Sequence, residues 1–200
     1  MRHATRGMLA IATILLASSP LGVQAADKGE MVVNPFYKYW ANCKPGSTVT
    51  LLEKTALGGA DKETVPDGID RKEVTSKLLS VTPEQVVVEV TVTEHDFLGA
   101  IQAAPTKKIY PAKIKKSHLQ AGLHGVDPKK GEDTLEVLGE KLKCTTLSGT
   151  EKKEGSEVTH EVWLSDKVPG GIVKHTRTTK QDGKLVADTT ITVKAFKQAE

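Results

Sequence analysis

The sequence predicts a mainly β protein, a curved antiparallel sheet or half-barrel of about eight to ten strands with one short N-terminal helical turn. Three observations lead to that fold class. Residues 157–196 hold three β-branched runs divided by Pro169-Gly170-Gly171 and by Asp182-Gly183, the turn chemistry of an antiparallel meander. In the last run Leu185, Ala187, Thr189, Ile191 and Val193 alternate with Val186, Asp188, Thr190, Thr192 and Lys194, a period of two that turns one face inward and one to water. The same alternation runs through VVVEVTVTE, where Val86, Val88, Val90 and Val92 oppose Val87, Glu89, Thr91 and Thr93. A sheet that is apolar on one side must cover it with a second layer, a helix, its own curvature or a ligand. A twisted sheet of this many strands curls or splits in two.

The chain opens on a leader. Arg2 and Arg6 give a positive n-region, Met8 to Ala17 an apolar stretch, and Val23-Gln24-Ala25 a small-residue cleavage motif before Ala26, the pattern of a secretory signal peptide. The apolar stretch is about ten residues, against the roughly twenty that a membrane span needs. No cysteine stands at the cleavage point for lipid attachment. The expected division is a signal peptide at 1–25, a flexible tail at 26–33 and a single antiparallel β domain at 34–200, secreted or periplasmic. Lys plus Arg number 28 against 25 Asp plus Glu, and the leader carries Arg2, Arg6 and no acid, so the mature chain is nearly neutral. That balance calls for neither nucleic acid nor an anionic membrane as partner, and no stable membrane insertion is expected after cleavage. The aromatic content of 4% points to a thin core between exposed strands.

Along the mature chain, Asn34-Pro35 fits an N-cap and first helical position, with one helical turn following. Lys44-Pro45-Gly46-Ser47 is a turn and residues 48–57 a strand. Residues 72–81 and 86–94 make a hairpin around Thr82-Pro83-Glu84-Gln85, in which Pro83 presets the backbone. Val74 and Leu78 also permit a helix over 70–79, and the hairpin context selects the strand. The pattern weakens over 97–131. There, residues 107–116 read as a strand carrying Ile109 and Ile114, and the rest as an excursion of the kind that carries function on a β scaffold. Residues 134–139 and 140–148 form a further hairpin, and GTEKKEG at 149–155 reads as a solvated loop.

Phe36, Tyr37, Tyr39 and Trp40 concentrate half of the eight aromatics in five residues. With Trp163 they could form a stacking platform for a ligand; the simpler role is a plug that seals one end of the sheet. Cys43 and Cys144 are the only cysteines. In an oxidising compartment they could pair, closing a loop of about a hundred residues and contributing about 4 to 5 kcal/mol in the chain-entropy model. Two buried thiols that never meet are equally compatible.

Lys44-Pro45-Gly46-Ser47 after the aromatic cluster, the valine-rich hairpin, Lys143-Cys144 in a strand and the run from Trp163 through Val168-Pro169-Gly170-Gly171 to Lys174 together resemble a group of secreted bacterial β-proteins. More remotely, the chain is similar to the lipoprotein-carrier superfamily of the LolA and LolB type. That resemblance implies a curved antiparallel half-barrel whose concave side accepts acyl chains. The ligand-gating residues of those carriers have no match in this sequence, so carrier activity does not follow.

Catalytic signatures are missing from the sequence: there is no GxSxG, P-loop or dinucleotide fingerprint, and Ser165-Asp166 has no identifiable base. His118, His124 and Asp127 are weak candidates for a metal, because a spacing of six is not a helical ligand spacing. His160 and His175 fall on neighbouring strands, where they could face each other or simply pair on the surface. In Glu94-His95-Asp96 neighbours alternate faces, so the imidazole has no ready-made acid partner. The lysines at 113–116 and 129–130 suit exposed positions that keep sheet edges from pairing. The expected function is an exported, non-enzymatic β-protein without a cofactor, binding a lipid or other apolar ligand, or an envelope protein. The alternatives are an extracytoplasmic metal-dependent hydrolase using His118, His124 and Asp127, and a structural or interaction module.

Overall fold

The computed structural model describes residues 29–58, 71–96, 99–116 and 129–200. In chain order the elements are β1 (Met31–Val33), α1 (Pro35–Ala41), β2 (Thr48–Leu57), β3 (Arg71–Val81), β4 (Gln85–Asp96), β5 (Gly99–Gln102), β6 (Thr106–Pro111), β7 (Lys113–Lys115), β8 (Lys129–Val137), β9 (Glu140–Lys153), β10 (Ser156–Leu164), β11 (Ile172–Gln181) and β12 (Lys184–Lys197). The main sheet has ten strands in the order β5-β4-β3-β2-β12-β11-β10-β9-β8, with β6 also on β4, and β1 pairs with β7 in a separate ribbon. All pairings are antiparallel. The sheet does not close into a barrel, and α1 is the one helix among the described elements. The curved, mainly β architecture expected from the alternation is what the chain adopts.

Two expectations need correction. Residues 31–33 are not loose: Met31, Val32 and Val33 pair with Lys115, Ile114 and Lys113. Residues 149–155 are not a loop either, because β9 runs to Lys153 and only Glu154-Gly155, both with positive φ (47° and 79°), turn the chain. A polar composition does not forbid a strand when its side chains pair across the ladder. Here Thr150 Oγ1 lies 3.0 Å from Thr159 Oγ1, and Lys152 Nζ lies 2.9 Å from Glu157.

Register assigns the two faces. Val49 and Leu51, with Val74 and Leu78 and with Val86, Val88, Val90 and Val92, share one side, here the valine face. Thr50, Thr75, Thr91, Thr93, Thr190 and Thr192 share the other, the threonine face. Thr50 and Thr75 are hydrogen-bonded across it at 3.0 Å. Buried apolar side chains gather at one end of the sheet: Trp40, Val49, Leu78, Val86, Val88, Val90, Leu142, Cys144, Trp163, Val168, Val173 and Val193 form one cluster. Each fully buried aliphatic side chain there contributes roughly 1.5–3 kcal/mol.

The core is not confined to the valine face. Trp163 pairs with Thr146, and Cys144 and Leu142 follow at two-residue steps, which puts the buried side chains of β9 and β10 on the threonine face by register. Twist accumulated over many strands turns the faces progressively, and α1 lies across the strand ends and meets both sides. Phe36 stacks on Tyr110 of β6 with ring centroids 5.6 Å apart. Tyr39 and Trp40 pack on Gly171 and Gly170 of the β10–β11 connection.

Candidate functional site

The aromatic end is organised around Asn34. Its side chain caps α1 by accepting from Phe36 N–H at 3.1 Å and donates to the Pro111 carbonyl at 2.9 Å, while its own N–H donates to the Ala112 carbonyl at 3.0 Å. A seven-residue helix is too short to be stable alone, so these bonds and the burial of Trp40 hold it. The rings are largely engaged. Trp40 and Trp163 are buried in the same cluster, Tyr37 donates its hydroxyl to the Thr82 carbonyl at 3.0 Å, and Tyr39 lies against Gly171. Burial raises the Tyr39 phenol above its ordinary range, helped by Asp166 and Cys144. Trp163 donates its indole N–H to Asp133 Oδ2 at 2.9 Å and carries Lys174 Nζ 4.7 Å from its ring centre. Phe36, 37% exposed, is the most exposed ring of this group, and Tyr37 and Tyr39 are half-buried.

The Val168-Pro169-Gly170-Gly171 motif and the aromatic cluster explain each other. A Cβ on Gly171 would sit 2.4 Å from Tyr39 Cγ and one on Gly170 2.9 Å from Trp40, and both glycines have positive φ. Ser165 N–H donates to the Gly171 carbonyl at 2.8 Å and closes the turn.

Cys43 and Cys144 are free thiols in the structure, the unbridged one of the two arrangements the sequence allowed. Cys43 sits within hydrogen-bonding range of the Tyr39 carbonyl (3.6 Å), and Cys144 is buried beside Leu142. Burial raises both thiols above their ordinary range, which suppresses thiolate reactivity. His118, His124 and Asp127 lie outside the described residues.

Beyond the aromatic end the valine face changes character. Ile191 pairs with His175 and Glu53, His175 with Val162, and Val162 with Leu147, so these share one row. The next row runs Gly149, His160, Arg177, Thr189, Thr55. His160 and His175 are therefore diagonal neighbours: Nδ1 and Nε2 are 3.2 Å apart, the rings are stacked at 5.5 Å, and His175 is buried. Buried Thr189 is satisfied by Thr55 at 3.1 Å. On the other half, Glu53, Lys72 and Glu94 stand opposite one another on β2, β3 and β4. Lys108 on β6 is held below the usual ammonium range by burial and by Lys72.

The threonine face carries a second charged group that sequence reasoning missed. His95 turns to Glu73, Nε2 to Oε1 3.5 Å, away from its chain neighbour Glu94. Lys194 Nζ meets the same oxygen at 2.6 Å and Arg71 Nη2 lies 4.0 Å from it. The hydrogen bond from Lys194 holds the Glu73 carboxyl below the usual range. Only the register that sets Arg71 opposite His95 brings these residues together.

The best-formed depressions among the described residues lie at the hairpin tips. The first, about 470 Å³, is lined by Lys152, Glu154, Gly155, Ser156, Glu157, Lys180 and Gly183 and is open and charged. Among the described residues no group of three or more His, Cys, Asp or Glu is placed to hold a metal ion, and no helix is long and apolar enough to cross a membrane.

No protein-family model matches the chain, and no curated protein matches it. Among solved structures, a Bacteroides fragilis protein described as a putative exported protein with a YmcC-like fold is similar over 78% of this chain and 97% of its own, at 10% identity and a TM-score of 0.44. A likeness at that level assigns no function, and it gives no link to the lipoprotein carriers of the LolA and LolB type.

Proposed function

We propose that this is an exported, non-catalytic β-protein whose open half, the part of the sheet remote from α1, docks onto a polar component of the cell envelope. The supporting observation is that ionisable side chains occupy both faces of that half. Glu53, Lys72, Glu94, His160, His175 and Arg177 stand on the valine face, and Arg71, Glu73, His95 and Lys194 on the threonine face. A site for acyl chains is lined predominantly by apolar side chains with few polar groups, since an unpaired charge beside hydrocarbon is heavily penalised. Cross-strand pairing of these groups favours a recognition surface over a catalytic centre. Export rests on the leader, with its basic start, apolar stretch and small-residue cleavage motif.

The apolar-ligand reading keeps one observation in its favour: Leu147, Val162 and Ile191 flank the imidazole pair and are only partly buried. One experiment separates the two. A photoreactive residue is placed at Arg177 or Lys72 in cells producing the protein, with Lys38 on α1 as control, and organic extracts of the purified protein are analysed by mass spectrometry. Docking predicts discrete adducts from Arg177 and Lys72 but not from Lys38. A stoichiometric lipid in the extract, with no adducts, would replace the docking reading by the ligand one.

A further inference from the structure

We propose that Arg71, His95 and Lys194 form an oxyanion site on the threonine face, suited to a phosphate group. The inference goes beyond the docking reading and stands or falls separately from it. Three nitrogen donors crowd a single oxygen, Glu73 Oε1. Lys194 takes it at 2.6 Å with a hydrogen bond, which leaves His95 Nε2 at 3.5 Å and Arg71 Nη2 at 4.0 Å near the same oxygen but not hydrogen-bonded to it. Arg71 Nε and His95 Nε2 are shielded from solvent and have no hydrogen-bond partner. Buried polar nitrogens without partners are rare, and donors so placed suit an acceptor supplied from outside the chain.

The charge balance favours an anion over water. Arg71 and Lys194 together outnumber the single Glu73 carboxylate they face. Thr93, directly opposite Glu73, offers a hydroxyl on the same face. A guanidinium fork beside an imidazole and an ammonium matches the several oxygens of a phosphate, and bonds of that kind are charge-assisted. The side chains of Arg71, His95 and Lys194 are 33%, 25% and 49% exposed, so their outer ends are reachable. Glu73 would orient the donors and compete with the ligand for them.

The test is a titration of the full mature chain with inorganic phosphate, followed by the side-chain nitrogen resonances of Arg71 and His95. Chloride at matched ionic strength serves as control. Vesicles of phosphatidylglycerol and of phosphatidylcholine form separate arms, which distinguish free phosphate from a phosphate displayed on a lipid headgroup. Saturable shifts with phosphate or with phosphatidylglycerol vesicles are expected, and not with chloride or the neutral vesicles. Lys194→Gln should weaken binding about tenfold, the effect of losing one charge-assisted bond. Glu73→Gln should tighten it, because the competing carboxylate is gone. If the cluster is only a structural ion network, Glu73→Gln lowers stability and confers no phosphate response. Linear shifts equal for phosphate and chloride, or a response unchanged in both Arg71→Gln and Lys194→Gln, would overturn the proposal.

Discussion

At the α1 end of the sheet Trp40, Leu78, Val88, Leu142 and Val173 are all at most 4% exposed, whereas at the hairpin-tip end Leu57, Leu185 and Val186 remain 40% to 48% exposed. Both ends belong to the same long strands: β2 begins beside Trp40's cluster at Val49 and finishes at exposed Leu57, and β12 runs the other way from Leu185 to Val193. The difference is therefore not one of secondary structure. What changes is cover. At one end a helix and the β10–β11 connection exclude water and permit an apolar core. At the other, backbone pairing continues with no helix or connection packed over it among the described residues, and side chains stay polar or pair with one another. Stability is concentrated at the closed end, which leaves the open end at liberty to carry charge.

The sharpest way to break that contrast is a pair of glycine substitutions. Gly171→Val inserts a Cβ 2.4 Å from Tyr39 Cγ at a φ of +82°, while Gly183→Val meets nothing within 4 Å at a φ of +77°. Chemical denaturation should show a loss of about 4 kcal/mol or more at Gly171, and about 1–2 kcal/mol, the left-handed backbone cost alone, at Gly183. Similar losses at the two positions would mean that the aromatic seat is not what stabilises the closed end. Next in size, Leu78→Ala should cost about 2–5 kcal/mol through lost burial and the cavity left behind, against less than about 0.5 kcal/mol for Leu185→Ala. The denaturant midpoints compare the two directly. Asn34→Ala removes the cap of α1 and leaves the Pro111 carbonyl without its donor, an expected loss of about 1–2 kcal/mol. Faster amide exchange confined to 35–43 would localise the effect.

The smallest contrast is electrostatic. Asp133 is held below the ordinary carboxylate range first by the Trp163 indole N–H and then by Thr134 N–H, and Glu157 first by its hydrogen bond to Lys152. A depressed carboxyl stabilises the fold above its unfolded value, and that contribution is lost as pH falls through the folded value. Acid titrations should therefore show Asp133→Asn and Glu157→Gln each reducing the stability gained between low and neutral pH. Raising salt should erase the Glu157 effect, an exposed ion pair, and spare that of Asp133, whose main donor is uncharged. Equal salt sensitivity would contradict the assignment of the indole as the dominant partner.

Much of the strand order could be read from alternation and turn chemistry: residues 48–57, the hairpin around Pro83, Asn34 as N-cap, and the meander with its turns at Pro169-Gly170-Gly171 and Asp182-Gly183 are where the sequence implied. Alternation failed where side chains are polar on both faces, as in 149–153, because pairing among Thr, Lys and Glu leaves no hydrophobic period. It also implied a single buried face, whereas Leu142, Cys144 and Trp163 are buried on the opposite one, a result of twist and of α1 crossing the strand ends. The adjacency of His160 and His175 was among the possibilities, but which face they take and their 3.2 Å separation depend on register. The Glu73 cluster had no sequence signal, since Arg71, His95 and Lys194 meet only after four strands, β4, β3, β2 and β12, have paired.

The junction of β12 with β2 joins Ala187 and the residues after it, through Lys197, to residues 48–57. It is the seam between β2–β6 and β8–β11. Without it, no strand pairing among the described residues joins the two halves, and the packing of α1 on Gly170 and Gly171 is left to span them. Deleting residues 184–200 should leave one chain with two loosely coupled, protease-sensitive halves instead of a slightly shortened fold.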